Sequence, residues 1–193
     1  MKLPIVAYGH PVLRVLCPDI TDQYPELKTL IADMWETMYN SNGVGIAAPQ
    51  VNKAIRLFVI DTIQIVEGFD AEDRAQYPNE KGYKGVFINA HKIEETGPEW
   101  AYNEGCLSIP KIREDVMRAS TVKLRFLNEN FEEQEMLFDG ITARVILHEY
   151  DHIEGKLFID YLGPLKKRLI KKKLDDISSG RLRMDYKMLN PRK

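Results

Sequence analysis

His148, Glu149, Tyr150, Asp151 and His152 spell H-E-x-x-H inside the stretch Ile141–Gly155, the spacing of a hydrolytic metal site. On a helix, residues four apart share a face, so both imidazoles can turn toward one ion. Glu149 follows the first of them directly and stays close enough to handle a proton of the water such an ion activates. The chain has only four histidines, which makes a chance pair at this spacing rare. The competing reading is a solvated helix with two unrelated histidines.

A catalytic site of this kind takes a third protein ligand and leaves one position open. Cys106, Cys17, His10, His91 and the carboxylates are the candidates. Cys106 fits best, because its setting, Glu104-Gly105-Cys106-Leu107-Ser108, is hard to account for as packing. Cys17, followed by Pro18, reads as a small buried residue. His10 and His91 lack neighbours of metal-site character. Two neutral imidazoles and a thiolate leave one divalent ion with a net charge of about +1, a softer Lewis acid than three imidazoles would make. Zinc(II) and nickel(II) are admissible in such a site, and the thiolate favours iron(II). A further segment, Gly43–Gln50, reads G-V-G-I-A-A-P-Q. Its small residues allow a backbone to approach a ligand, and Gln50 offers an amide donor to an oxyanion. Alone it says little, since Gly-Ala-rich turns after helices are common.

These residues need elements to hold them. Pro25–Asn40 predicts an amphipathic helix, with Leu27, Leu30, Ile31, Met34, Trp35 and Met38 on one stripe and Asp22 as its cap. Ile55–Ile63 and Lys84–Glu94 predict buried strands. Thr121–Leu127 and Phe131–Phe138 predict a hairpin around Asn128-Glu129-Asn130. Ile141–Ile153, entered after Asp139-Gly140 and stopped at Gly155, predicts a helix that is apolar nearly all round and runs through the core. Leu165–Leu174 predicts a final basic helix, and Gln64–Lys84 an exposed loop. The expected class is α+β, with antiparallel strands packed around a central H-E-x-x-H helix and a basic C-terminal helix. Residues 1–163 form the expected catalytic unit and residues 164–193 the basic helix and tail.

The bulk numbers agree with that picture. At 193 residues, 44% hydrophobic and 29% charged, the chain can bury a real core. No run of about 18 apolar residues is present, so no membrane span is expected. The first residues lack the pattern of a secretory signal, and two cysteines make no disulfide framework, so a cytoplasmic setting is expected. The net charge of -2 hides an asymmetry: eleven Lys/Arg stand against three Asp in residues 164–193, a net +8, while the remainder carries -10. Lys166, Lys167, Arg168, Lys171, Lys172 and Lys173 could dock on a polyanion; a solvated basic helix end is the equal alternative.

Together, in this order, Gly43–Gln50, Glu104–Ser108 and His148–His152 resemble the three signature motifs of the peptide deformylases, and the likeness covers roughly residues 1–163. It implies that Cys106, His148 and His152 bind the metal and that Glu149 is the general acid/base. It also implies that Gln50 and the Leu107 backbone N–H hold the oxyanion and that Gly45 helps dock substrate. The implied reaction is removal of the N-terminal formyl group from formyl-methionine of newly made polypeptides, with release of formate. The implied partners are N-formyl-Met nascent peptides and, through the basic tail, the ribosome. Ile141 and Val145, with Val44, would line an apolar pocket for the methionine side chain. Glu104 and Arg118 either pair behind the metal or are two surface charges. An H-E-x-x-H endopeptidase is the rival enzyme reading, and a structural metal site the rival outside enzymes.

Overall fold

A computed structural model of the protein describes residues 1–191; Arg192 and Lys193, the last two basic residues of the tail, lie outside the described residues. The fold is mixed α/β around an antiparallel sheet. Among the described residues, strands β1 (Ile5–Val6), β2 (Gly45–Ala47), β3 (Leu57–Asp61), β4 (Lys84–Cys106), β5 (Ile109–Leu127), β6 (Glu133–Asp139) and β7 (Met188–Leu189) are accompanied by five α-helices. These are α1 (Leu27–Asn40), α2 (Ile63–Glu67), α3 (Ala71–Gln76), α4 (Gly140–Ile153) and α5 (Pro164–Ser178). Strands β2-β3-β4-β5-β6 form one sheet in that order, and β1 pairs with β7 in a separate parallel ladder.

Helix α1 begins two residues later than its apolar pattern suggests. Its N-terminal boundary is Glu26 in the left-handed region, with no side-chain cap, so Asp22 does not serve. The hairpin between β5 and β6 forms with Leu127 opposite Glu133. The Asn128 side chain closes its turn by accepting from the Asn130 and Glu132 amides. The long β4–β5 pairing was the least legible element. Four register shifts interrupt it, and residues 91–99 are exposed, so neither periodicity nor burial marks it in sequence. Its consequence is positional: Cys106 pairs with Ile109, which leaves Leu107 and Ser108 as a two-residue turn at the hairpin tip.

Residues 64–84 are not a plain exposed loop. They hold most of α2 and all of α3, and after α3 Glu80 caps the N-terminus of α4. Its carboxylate accepts from the Ile141 amide at 2.8 Å and from the Thr142 hydroxyl at 2.7 Å, answering donors the first turn leaves free. Helix α4 is buried from Ile141 to Ile153 and ends where Gly155 turns left-handed at φ +70°. Ala143, Val145, Ile146, Leu147, Tyr150 and Ile153 pack it against Phe58, Phe87, Phe126 and Phe138 of the sheet. Helix α5 docks through Ile170, Leu174 and Ile177, while Leu165 and Leu169 are exposed rather than packed.

Candidate metal centre and active site

The tip of the β4–β5 hairpin and the middle of α4 bring three donors together. One ligand atom each from Cys106, His148 and His152 lies within 4.8 Å of the other two. The Cys106 thiol is 3.2 Å from His152 Nε2, and the two imidazole centroids are 5.2 Å apart. The other candidates lie elsewhere. Cys17 is in the core, where burial pushes its thiol up to about 11. His10 accepts from the Val12 amide at 3.3 Å, and His91 sits 3.1 Å from Asp19 on the surface. A soft sulfur and two imidazoles at this separation suit a first-row divalent ion with one position left over.

Behind the three donors lies a buried charge cluster that was only half visible in sequence. Arg118 makes a two-pronged contact with Glu104 at 2.7 and 3.0 Å and reaches Asp151 at 2.6 Å. Arg144 also donates to Glu104, at 3.0 Å, and to the carbonyls of Val116 and Trp100. Glu104 and Arg118 are therefore a buried pair and not surface charges. Burial opposes the Glu104 charge, yet hydrogen bonds from His148 and Arg118 hold its pKa far below the usual carboxylate range. Burial opposes a charge on His148, yet hydrogen bonds to Cys106 and Glu104 raise its pKa well above the usual imidazole value. An ion bound at Nε2 would displace that proton and leave the His148 ring neutral. Its Nδ1 then donates to Glu104 at 2.9 Å, which turns the Nε2 lone pair toward Cys106 and His152.

Glu149 sits beside this centre with 4% of its surface exposed and, among the described residues, no hydrogen-bond partner for Oε2. Burial pushes its carboxyl up to about 7, with His148 pulling in the other direction. Gly45 explains itself here: a Cβ at that position would stand 2.5 Å from Glu149 Oε1. Gln50 is fixed by its own segment. Its Oε1 accepts from the Ala47 amide at 2.8 Å, which aims Nε2 at Cys106 Sγ and Ser108 Oγ, each 3.4 Å away. Gly43 admits the Leu107 side chain, whose Cδ1 would be 2.8 Å from a Cβ there.

These groups open into a cavity of about 450 Å³ lined by Val44, Gly45, Gln50, Leu107, Val145 and Glu149 among others. That size suits a side chain and part of a peptide. Val44 and Val145 line it as expected; Ile141 is buried but does not. Two lining residues, Met184 and Tyr186, come from the tail and were missed. The signal for them was present: Leu182, Met184, Tyr186 and Met188 alternate with Arg183, Asp185 and Lys187, the period of an extended segment with one face inward.

The family model for polypeptide deformylase matches residues 2–168. A peptide deformylase of Flavobacterium johnsoniae is 54% identical over 188 residues, covering 97% of this chain and 95% of that protein. One from Christiangramia forsetii is 51% identical, covering 99% and 97%. Among solved structures, a peptide deformylase from Legionella pneumophila superimposes with a TM-score of 0.77 at 33% identity, covering 95% of this chain and 99% of that one.

Proposed function

The chain belongs to the peptide deformylase family, and on that premise we propose that Cys106, His148 and His152 hold one divalent ion, iron(II), with zinc(II) and nickel(II) admissible. The enzyme removes the N-terminal formyl group from formyl-methionine of newly made polypeptides and releases formate. The observation that carries the ligand set is the convergence of the three donor atoms within 4.8 Å. The endopeptidase reading loses its support with the family assignment. The structural-metal reading would leave Glu149 and Gln50 without a task.

The side chains divide the work. A divalent ion there supplies Lewis-acid activation of water and of the formyl carbonyl. Glu149 takes the proton of the attacking water and returns it to the departing amine, so one group serves both transfers. Gln50 Nε2 and the Leu107 N–H receive the negative charge that develops on the formyl oxygen. Gly45, whose missing Cβ makes room for the Glu149 carboxylate, helps dock the substrate beside it. Val44 and Val145 offer an apolar wall to the methionine side chain, worth about 1–3 kcal/mol per methylene. Formate release from formyl-Met peptides by anaerobically purified protein, with metal analysis of the same sample, tests the assignment. Cys106→Ser should lose stoichiometric metal and Cys17→Ser should keep it; the reverse would overturn the ligand set.

We further propose that α5 docks on ribosomal phosphate, which also places the enzyme in the cytoplasm where its substrate appears. Lys166, Lys167, Arg168, Lys171, Lys172 and Lys173 are all exposed along that helix. Its anchoring residues Ile170, Leu174 and Ile177 are separate from them, so charge can be changed without unpacking the helix. Reversal at Lys167, Lys171 and Lys172 should abolish salt-sensitive co-sedimentation with ribosomes and leave hydrolysis of short formyl peptides intact. Unchanged binding at low salt would remove the helix from this role.

A further inference from the structure

Residues beyond α5 return to the body as a strap. Asn190 reaches the Ile177 carbonyl at 2.9 Å, and the strap pairs as β7 with β1. The Ile5 amide donates to the Lys187 carbonyl and the Ala7 amide to the Leu189 carbonyl, each at 2.8 Å. This pins the chain immediately after Tyr186. The ring of Tyr186 lines the cavity, and its hydroxyl donates to the Leu107 carbonyl at 2.8 Å. The next carbonyl, that of Ser108, accepts from the Tyr8 amide at 2.9 Å. The hairpin tip beside Cys106 is thus clamped from outside by the strap and by the segment that follows β1.

We propose that Tyr186 is a positioning residue for deformylation, which fixes the Leu107 turn so that the Leu107 N–H faces the developing oxyanion. Leu107 is half of a two-residue turn closed by the Cys106–Ile109 pair. With both ends fixed, its φ, which aims the N–H, and its ψ, which aims the C=O, cannot change independently. A hydrogen bond on the carbonyl therefore limits where the N–H can point. A donor aimed in advance stabilises the transition state more than the ground state, since it loses nothing to reorganisation when charge appears. The strap lies past residue 168, where the match to the family model ends. Part of the oxyanion apparatus is therefore held by a segment outside the matched region.

The inference rests on the deformylase reading, so its test separates the two. Wild-type formate release from a formyl-Met dipeptide checks the reading. Tyr186→Phe, which keeps the ring and removes the donor, checks the inference. Its kcat should fall about three- to tenfold, the loss of one neutral hydrogen bond, with KM within roughly twofold of wild type. Metal content should stay at the wild-type value, and the melting temperature should fall by no more than about 2–4 °C, the stability cost of one hydrogen bond. Independently of turnover, the Leu107 amide should exchange with solvent faster in the variant, read by NMR on protein loaded with diamagnetic zinc(II). Unchanged kcat with unchanged Leu107 exchange would overturn the assignment, as would a fall in kcat accompanied by lost metal and a higher KM.

Discussion

Glu149→Gln should keep its metal and lose several orders of magnitude in turnover. General acid–base catalysis contributes about 10²- to 10⁴-fold, and in the proposed mechanism one carboxylate serves both the attack and the departure of the amine. The amide keeps the volume against which Gly45 is fitted, so a loss of rate cannot come from a collapsed floor. Near-normal formate release from metal-replete variant would remove Glu149 from its role. The same substitution carries a pH signature in chelator-stripped protein. Burial raises the Glu149 carboxyl to about 7 from an ordinary 4.5. The folded protein therefore holds a proton that the unfolded chain has already released. Its contribution to stability is fully present below pH 4.5 and lost as pH rises through about 7, on the order of 3 kcal/mol in all. Urea unfolding between pH 5 and 8 should show stripped wild type losing stability relative to Glu149→Gln. Parallel pH curves would mean that the carboxyl is not raised.

Much of this site was legible in sequence because its parts are local. His148, Glu149 and His152 share one face of one helix, and a four-residue spacing is enough to announce that. Gly43–Gln50 and Glu104–Ser108 are also short segments with a composition that packing does not ask for. What was hidden depends on contacts between distant segments. Glu80 caps α4 from 60 residues away, a pairing no local pattern encodes. The β4–β5 ladder is broken by bulges, so alternation fails where the pairing is longest. Arg144 stands four residues before His148, on the same face of α4, but only the folded chain shows that it turns toward Glu104. The strap was readable in principle. The alternation from Leu182 to Met188 was masked by the charge of Arg181, Arg183 and Lys187, which made the whole tail look like a solvated basic appendage.

Glu104→Ala should destabilise the protein more than any other single truncation near the site. Glu104 accepts from Arg118, Arg144 and His148 together, and its side chain is 3% exposed. Removing it leaves two guanidiniums facing each other in the core with only Asp151 to balance them. Breaking a buried ion pair from one side costs roughly 3–5 kcal/mol, because the orphaned charge keeps its desolvation penalty. His148 also loses the acceptor that sets its tautomer, so its Nε2 is no longer committed to the metal side, and affinity for the ion should fall about 10- to 100-fold. Glu104→Gln separates these effects. The amide can still accept one hydrogen bond but carries no charge, so it should recover part of the tautomer control and little of the stability. Denaturant unfolding and metal titration of the two variants give the comparison. Wild-type stability in Glu104→Ala would show that water reaches both guanidiniums, and the buried cluster would then have no part in holding the centre.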